Sequence, residues 1–160
     1  MYDDINVSLI PVDAVAVAGY VDGKWSTYAQ LAAKFPHAKY RLSIAVFPSD
    51  DAQVLDVEPG DATIAQAAGW VKRQKAKGNP RPDVYTAVSW GQTLITALTD
   101  AGYVYGKDYR WWSAHYTGQP HLCGPACWPG LQYTAHATQW TDKAGGKSLD
   151  ESVCSAEFFA

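Results

Sequence analysis

Short apolar runs, cut by Pro, Gly and Asp, alternate along this chain with stretches of helical spacing. Residues 2–7 predict a first strand and Pro11 breaks it. Residues 14–21 predict a second, apolar on both faces as a strand covered on two sides must be. Lys24 to Phe35 carries helical spacing through Trp25, Tyr28, Leu31 or Ala32, and Phe35, and ends before Pro36. Residues 41–47 predict a third strand, and Val54-Leu55-Asp56-Val57-Glu58 a fourth that runs into Pro59-Gly60. Thr63 to Lys77 is the strongest helix: Asp61 or Thr63 caps it, Ile64, Ala67, Ala68 and Val71 share a face, and Gly78 suits the position past its end. Residues 83–88 predict a fifth strand, after which Ser89 caps a helix that Gly102 closes. Residues 109–117, 134–141 and 149–154 supply strands six to eight, with a Pro- and Gly-rich loop over residues 118–130.

Strands alternating with helices give an α/β domain with a largely parallel sheet. Eight strands with about three helices fall short of a full (β/α)₈ barrel of roughly 250 residues. The expected fold is therefore a compact, irregular (β/α) TIM-like barrel, one domain over residues 1–160. Composition agrees with a globular chain, at 48% hydrophobic and 18% charged. A net charge of −3, with Lys and Arg concentrated near the end of one predicted helix, argues against nucleic acid. No apolar run is long enough to span a membrane, and the acidic Met1-Tyr2-Asp3-Asp4 start lacks the basic region of an export signal. Seven Trp and ten Tyr are many for this length, and flat aromatic surfaces suit sugar rings as well as cores.

Asp56 and Glu58 are the centre of the chemical reading. Alternate residues of a strand share a face, so these two carboxylates project the same way, with Cα atoms roughly 6.5–7 Å apart. They lie at the carboxyl end of a strand, where barrels of this type keep their reactive groups. Mutual repulsion and partial burial raise one pKa and leave the other group ionised. The expectation is a protonated Glu58 and a charged Asp56. Trp112 and Tyr116 share a strand face, and Tyr85 and Gln139 approach the same mouth; these four are the candidate substrate-lining side chains.

Five motifs in order carry a family resemblance: Asp56-Val57-Glu58, Val84-Tyr85-Thr86, Trp112-Ser113-Ala114-His115-Tyr116, Thr138-Gln139-Trp140-Thr141 and Leu149-Asp150. Together with Tyr2-Asp3-Asp4 and Ala18-Gly19-Tyr20-Val21-Asp22-Gly23, they resemble glycoside hydrolase family 25, the Chalaropsis-type lysozymes. The shorter family 25-like domains of actinobacteria and their phages are the nearer likeness. The resemblance implies cleavage of the β-1,4 bond between N-acetylmuramic acid and N-acetylglucosamine in peptidoglycan. It implies Glu58 as general acid, Asp56 as its partner, Asp3 (or Asp4, since register is ambiguous there) as a first-strand acid, and Asp150 as a late one. It also implies action at the bacterial cell wall, as an endolysin, virion-associated or cell-wall enzyme. Retaining, inverting and substrate-assisted routes stay open.

The remaining candidates are weaker. His115, His121, Cys123, Cys127 and His136 invite a metal, but C-x₃-C with one nearby His lacks the paired spacing of a zinc site. A Cys123–Cys127 disulfide stapling the loop is the preferred expectation, with no metal and no cofactor. There is no phosphate loop and no nucleophile elbow. The expected partner is the peptidoglycan glycan strand alone, met by a monomer. A non-catalytic wall-binding module on the same barrel is the alternative, as is hydrolysis of another glycoside.

Overall fold

The computed structural model describes residues 1–160. Its eight strands close into one barrel in chain order: β1 (Tyr2–Asp3), β2 (Ala16–Tyr20), β3 (Tyr40–Ala45), β4 (Val54–Asp56), β5 (Asp83–Ala87), β6 (Arg110–Ala114), β7 (Ala137–Thr141) and β8 (Asp150–Cys154). Neighbours from β1 to β7 run parallel, and β8 closes the ring antiparallel to both β7 and β1. Closure leaves no unpaired sheet edge. Three α-helices pack outside: α1 (Tyr28–Lys34), α2 (Ile64–Ala76) and α3 (Val88–Asp100). None of them is long and apolar enough to cross a membrane.

Local chemistry moves several boundaries from their expected places. The first strand stops at Asp3, because the Asn6 side chain accepts from the Ser8 amide at 3.2 Å and turns the chain into a 3₁₀ turn over Val7–Leu9. Helix α1 begins at Tyr28, so Trp25 sits in the preceding loop instead of on a helix face. Thr63, not Asp61, caps α2, with the Gln66 side-chain Oε1 accepting from the Thr63 amide at 2.9 Å. Ser89 caps nothing, since β5 runs straight into α3 with Ala87 at the junction.

Alternation along the strands sorts side chains into a barrel interior and an outer layer. Ala18, Leu42, Ile44, Val54, Tyr85, Trp112, Ala114 and Ala137 fill the interior with Phe158. Leu55, Val57, Val84 and Trp111 face outward onto Ala67, Trp70, Val71, Leu94, Ile95 and Leu98 of α2 and α3. Val17 meets Leu31 and Phe35 on the α1 side. The amino end of the barrel is plugged. Arg110 binds Asp83 through two nitrogens at 2.7 and 3.1 Å, and also donates to the Glu157 and Ala160 carbonyls of the C-terminal 3₁₀ turn. Phe158 seals that end from within the core. No such ion pair closes the carboxyl end of the barrel.

Two helical glycines make opposite predictions. Gly91 of α3 lies against Trp111, and a Cβ there would stand 2.3 Å from the indole. Gly69 of α2 is exposed with open space around it. Gly91→Ala should lower stability by about 1–3 kcal/mol through overpacking. Gly69→Ala should raise it by about 0.5–1 kcal/mol through helix propensity. Urea midpoints measured on both variants check the pair.

Candidate active site

The open end of the barrel gathers acids from three strands. Asp3 of β1 pairs directly with Asp150 of β8, and Asp56 ends β4 beside Tyr85 of β5. Glu58 lies two residues past the end of β4, beyond the ladder, yet Asp56 and Glu58 line one hollow of about 330 Å³. Tyr20, Asp22, Lys24, Trp25 and Asp61 complete much of its wall.

Depth decides how each acid titrates. Asp56 is only 3% exposed, and one of its oxygens has no hydrogen-bond partner. Burial, reinforced by Glu58 and Asp61, pushes its pKa up to about 8 against the opposing pull of the Tyr20 side chain. Glu58 is half-buried, and its pKa rises through burial and then through Asp61. Both carboxyls are therefore raised, and the expectation of a charged Asp56 is corrected: Asp56, not Glu58, carries the larger shift, because it is the more deeply buried. Asp150 is pushed up to about 6 by burial, with Gln139 pulling the other way and Asp4, Asp142 and Glu58 adding repulsion. Asp3 rises well above the ordinary range through burial and Asp150, partly offset by the N-terminal ammonium. It also has an unpartnered buried oxygen. Buried oxygens left without partners are uncommon, and two of them fall among the acids at this end of the barrel.

At the first strand the two acids differ in setting: Asp3 stands opposite Asp150 in the ladder. Asp4 spends its carboxylate on the Asn6 amide. The aromatic candidates separate by height. Trp112 does not line the mouth: it is 1% exposed, stands edge-on to Tyr85 and Phe158, and donates to Ser152 Oγ at 3.1 Å inside the core. Tyr85 and Gln139 are buried together, the Tyr85 hydroxyl donating to Gln139 Oε1 at 2.6 Å. Tyr85 is the direct ladder partner of Asp56. Tyr116 is 54% exposed at the rim beside Tyr85.

Two contributors escaped the sequence reading. Trp25 is half-exposed at the edge of the hollow, with Lys24 Nζ 4.8 Å from its ring centroid. Its apparent helical spacing hid it. Asp22 accepts from the Val46 and Phe47 amides at 2.8 and 3.0 Å, tying the loop after β2 to the end of β3 and shaping that wall. Gly23 beside it has φ +72°, and any Cβ there would strike Val46, so this approach admits only glycine. The Asp22-Gly23 pair was the visible signal. The Cys123–Cys127 disulfide is absent, and all three cysteines are free thiols.

No family model, curated protein or solved structure matches this chain.

An unfolded Asp56 releases its proton near pH ~4, whereas the folded protein holds it up to about 8. The stability this proton contributes is complete below the unfolded value and is lost as pH rises through the folded one. Urea midpoints should fall across that window. Asp56→Asn, which cannot titrate, should flatten the fall by up to about 1.4 kcal/mol per pH unit. A slope that survives the substitution would assign the proton to another group.

Proposed function

We propose that the chain is a peptidoglycan hydrolase, an N-acetylmuramidase that cleaves the β-1,4 bond between N-acetylmuramic acid and N-acetylglucosamine at the bacterial cell wall. In this reading the barrel is a small, irregular member of the TIM-like (β/α) class. The observation that carries it is the shared hollow: Glu58 half-buried at the lip, Asp56 buried within it with its pKa raised, and an aromatic wall at Trp25. The family 25-like motifs in the sequence support the same conclusion.

Glycoside cleavage requires a proton for the leaving oxygen and negative charge beside an oxocarbenium-like centre. Glu58 is the acid placed to touch substrate, since geometry precedes pKa in choosing a proton donor. Its raised pKa suits donation. Asp56 is neutral while the site is uncharged. As Glu58 gives its proton to the leaving oxygen, Asp56 passes its own to the Glu58 carboxylate, so the charge left on Asp56 stands beside the positive charge developing on the sugar and stabilises the transition state more than the ground state. Tyr85, held by Gln139, and Asp150 with Asp3 fix the electrostatics below and beside the reacting bond. Glu58 is the proposed catalytic acid; Tyr85 and Gln139 are positioning residues.

Purified cell walls assayed for turbidity loss and new reducing ends test this reading. Glu58→Gln should lower the rate by roughly 10²–10⁴-fold with the fold intact. Wall binding by the wild type without new reducing ends would make the chain a binding module and overturn the enzyme. Trp25→Ala removes an exposed ring that contributes nothing to the core. It should raise KM about tenfold by the loss of roughly 1.4 kcal/mol of stacking, with kcat little changed. Kinetics on soluble glycan fragments separate the two constants.

A further inference from the structure

Four of the five histidines and cysteines that the sequence scatters around one loop converge in space. His115 Nδ1 and His121 Nε2 are 3.0 Å apart, and Cys123 Sγ lies 3.2 Å from the first and 3.5 Å from the second. With Cys127 Sγ included, one ligand atom from each residue falls within 4.8 Å of all the others. His136 stands apart, stacked on Tyr105. A tetrahedron with metal–sulfur bonds of about 2.3 Å and metal–nitrogen bonds of about 2.0–2.1 Å has edges of roughly 3.3–3.8 Å. The three separations among His115, His121 and Cys123 lie within or just below that range, and Cys127 Sγ is no more than 4.8 Å from any of them, so small shifts of the set seat a cation at its centre.

We propose that His115, His121, Cys123 and Cys127 form a structural zinc site that staples the loop between β6 and β7. Two thiolates with two imidazoles suit zinc, and four protein ligands leave no open position for chemistry. The tautomer of His121 supports the assignment independently. Its Nδ1 lies 2.8 Å from the Gln119 carbonyl oxygen, which can only accept. Nδ1 therefore carries the proton and Nε2 turns its lone pair on the cluster, the arrangement that an outer hydrogen bond imposes on a metal-binding histidine.

The ligands are anchored from both sides. The His115 amide donates to the Gln139 carbonyl of β7 at 2.9 Å. The Cys123 amide donates to Thr138 Oγ1 at 2.8 Å, and its carbonyl accepts from Ala135 at 2.7 Å. Cys127 closes a turn onto the Gly124 carbonyl. Paired spacing is missing from the sequence because these ligands come from a strand end and a folded loop, not from a zinc knuckle. On binding, each thiol releases its proton to solvent as its sulfur bonds the cation, with no change of oxidation state. His115 immediately precedes Tyr116, so the same staple fixes the root of that rim tyrosine.

The test uses the full chain prepared in reductant without chelator. Native mass spectrometry should find one zinc per chain. Cobalt added to the metal-stripped protein should give thiolate charge-transfer and tetrahedral ligand-field bands, which zinc then bleaches. Cys127→Ser and His121→Ala, both at partly exposed positions, should each weaken cobalt binding at least 100-fold while circular dichroism stays that of the folded protein. Zinc should raise the Tm of the wild type and leave that of Cys127→Ser unmoved. The site is overturned by a metal-free wild type without cobalt bands, by equal binding in wild type and Cys127→Ser, or by a chain whose mass is short by the two hydrogens of a disulfide. The muramidase reading survives any of these results, since none of the four ligands lines the acidic hollow.

Discussion

Height along a barrel strand is the constraint on which this molecule turns. Inward-facing side chains recur at every second residue, and each step lifts the next one by roughly 6.5–7 Å. On β6 the ladder runs from Arg110 through Trp112 and Ala114 to Tyr116, beyond the strand end, and exposure climbs from almost none to 54%. On β4 it runs from Val54 through Asp56 to Glu58. The same face thus holds a plug, a core and an exposed lip in succession. Dielectric surroundings change with each step, so chemically similar carboxylates on one face titrate differently.

The two ends of the barrel handle buried charge in opposite ways. At the amino end Asp83 is buried, and its raised pKa is opposed by Arg110, which reaches it with two hydrogen bonds. That pair is fully satisfied and serves as a stopper. At the carboxyl end Asp3, Asp56 and Asp150 have acids for neighbours and no arginine among them, so burial drives protons onto them. Such an end is destabilising at alkaline pH, a strain of the kind that active sites hold and the rest of a fold offsets. The apolar layer between barrel and helices, rich in Trp, Leu and Val, is the counterweight.

Much of this was legible in the amino-acid pattern. Apolar runs ended by Pro, Gly and Asp located all eight strands in order, because those residues stop strands for steric reasons that tertiary context seldom reverses. The Asp56 and Glu58 pairing in one hollow was also legible, since a two-residue spacing puts both on one face. What stayed hidden was height. Nothing local tells that Trp112 lies a storey below the mouth and Tyr116 at it, or that β4 is so short that Asp56 ends it while Glu58 swings outward. Register with β5 and β3 decides both, and register is a property of the closed ring. Trp25 was hidden differently: a chance helical spacing disguised a loop residue.

The outer layer explains where irregular chain had to be fixed. Helices follow β2, β4 and β5, but the connection from Ala114 to Ala137 contains none. Its Cys123, Leu131 and Ala135 nonetheless join the same apolar cluster as Trp111 and the helices, doing a helix's covering work with backbone that lacks a helix's internal hydrogen bonds. A loop of that length spends conformational entropy that apolar contacts from a few small side chains offset poorly. Cross-linking is the efficient remedy, and the gathered imidazoles and thiols stand where the ladder between β6 and β7 runs out. The same stretch of chain that lacks a helix therefore carries both the rim tyrosine and the His115, His121, Cys123 and Cys127 cluster.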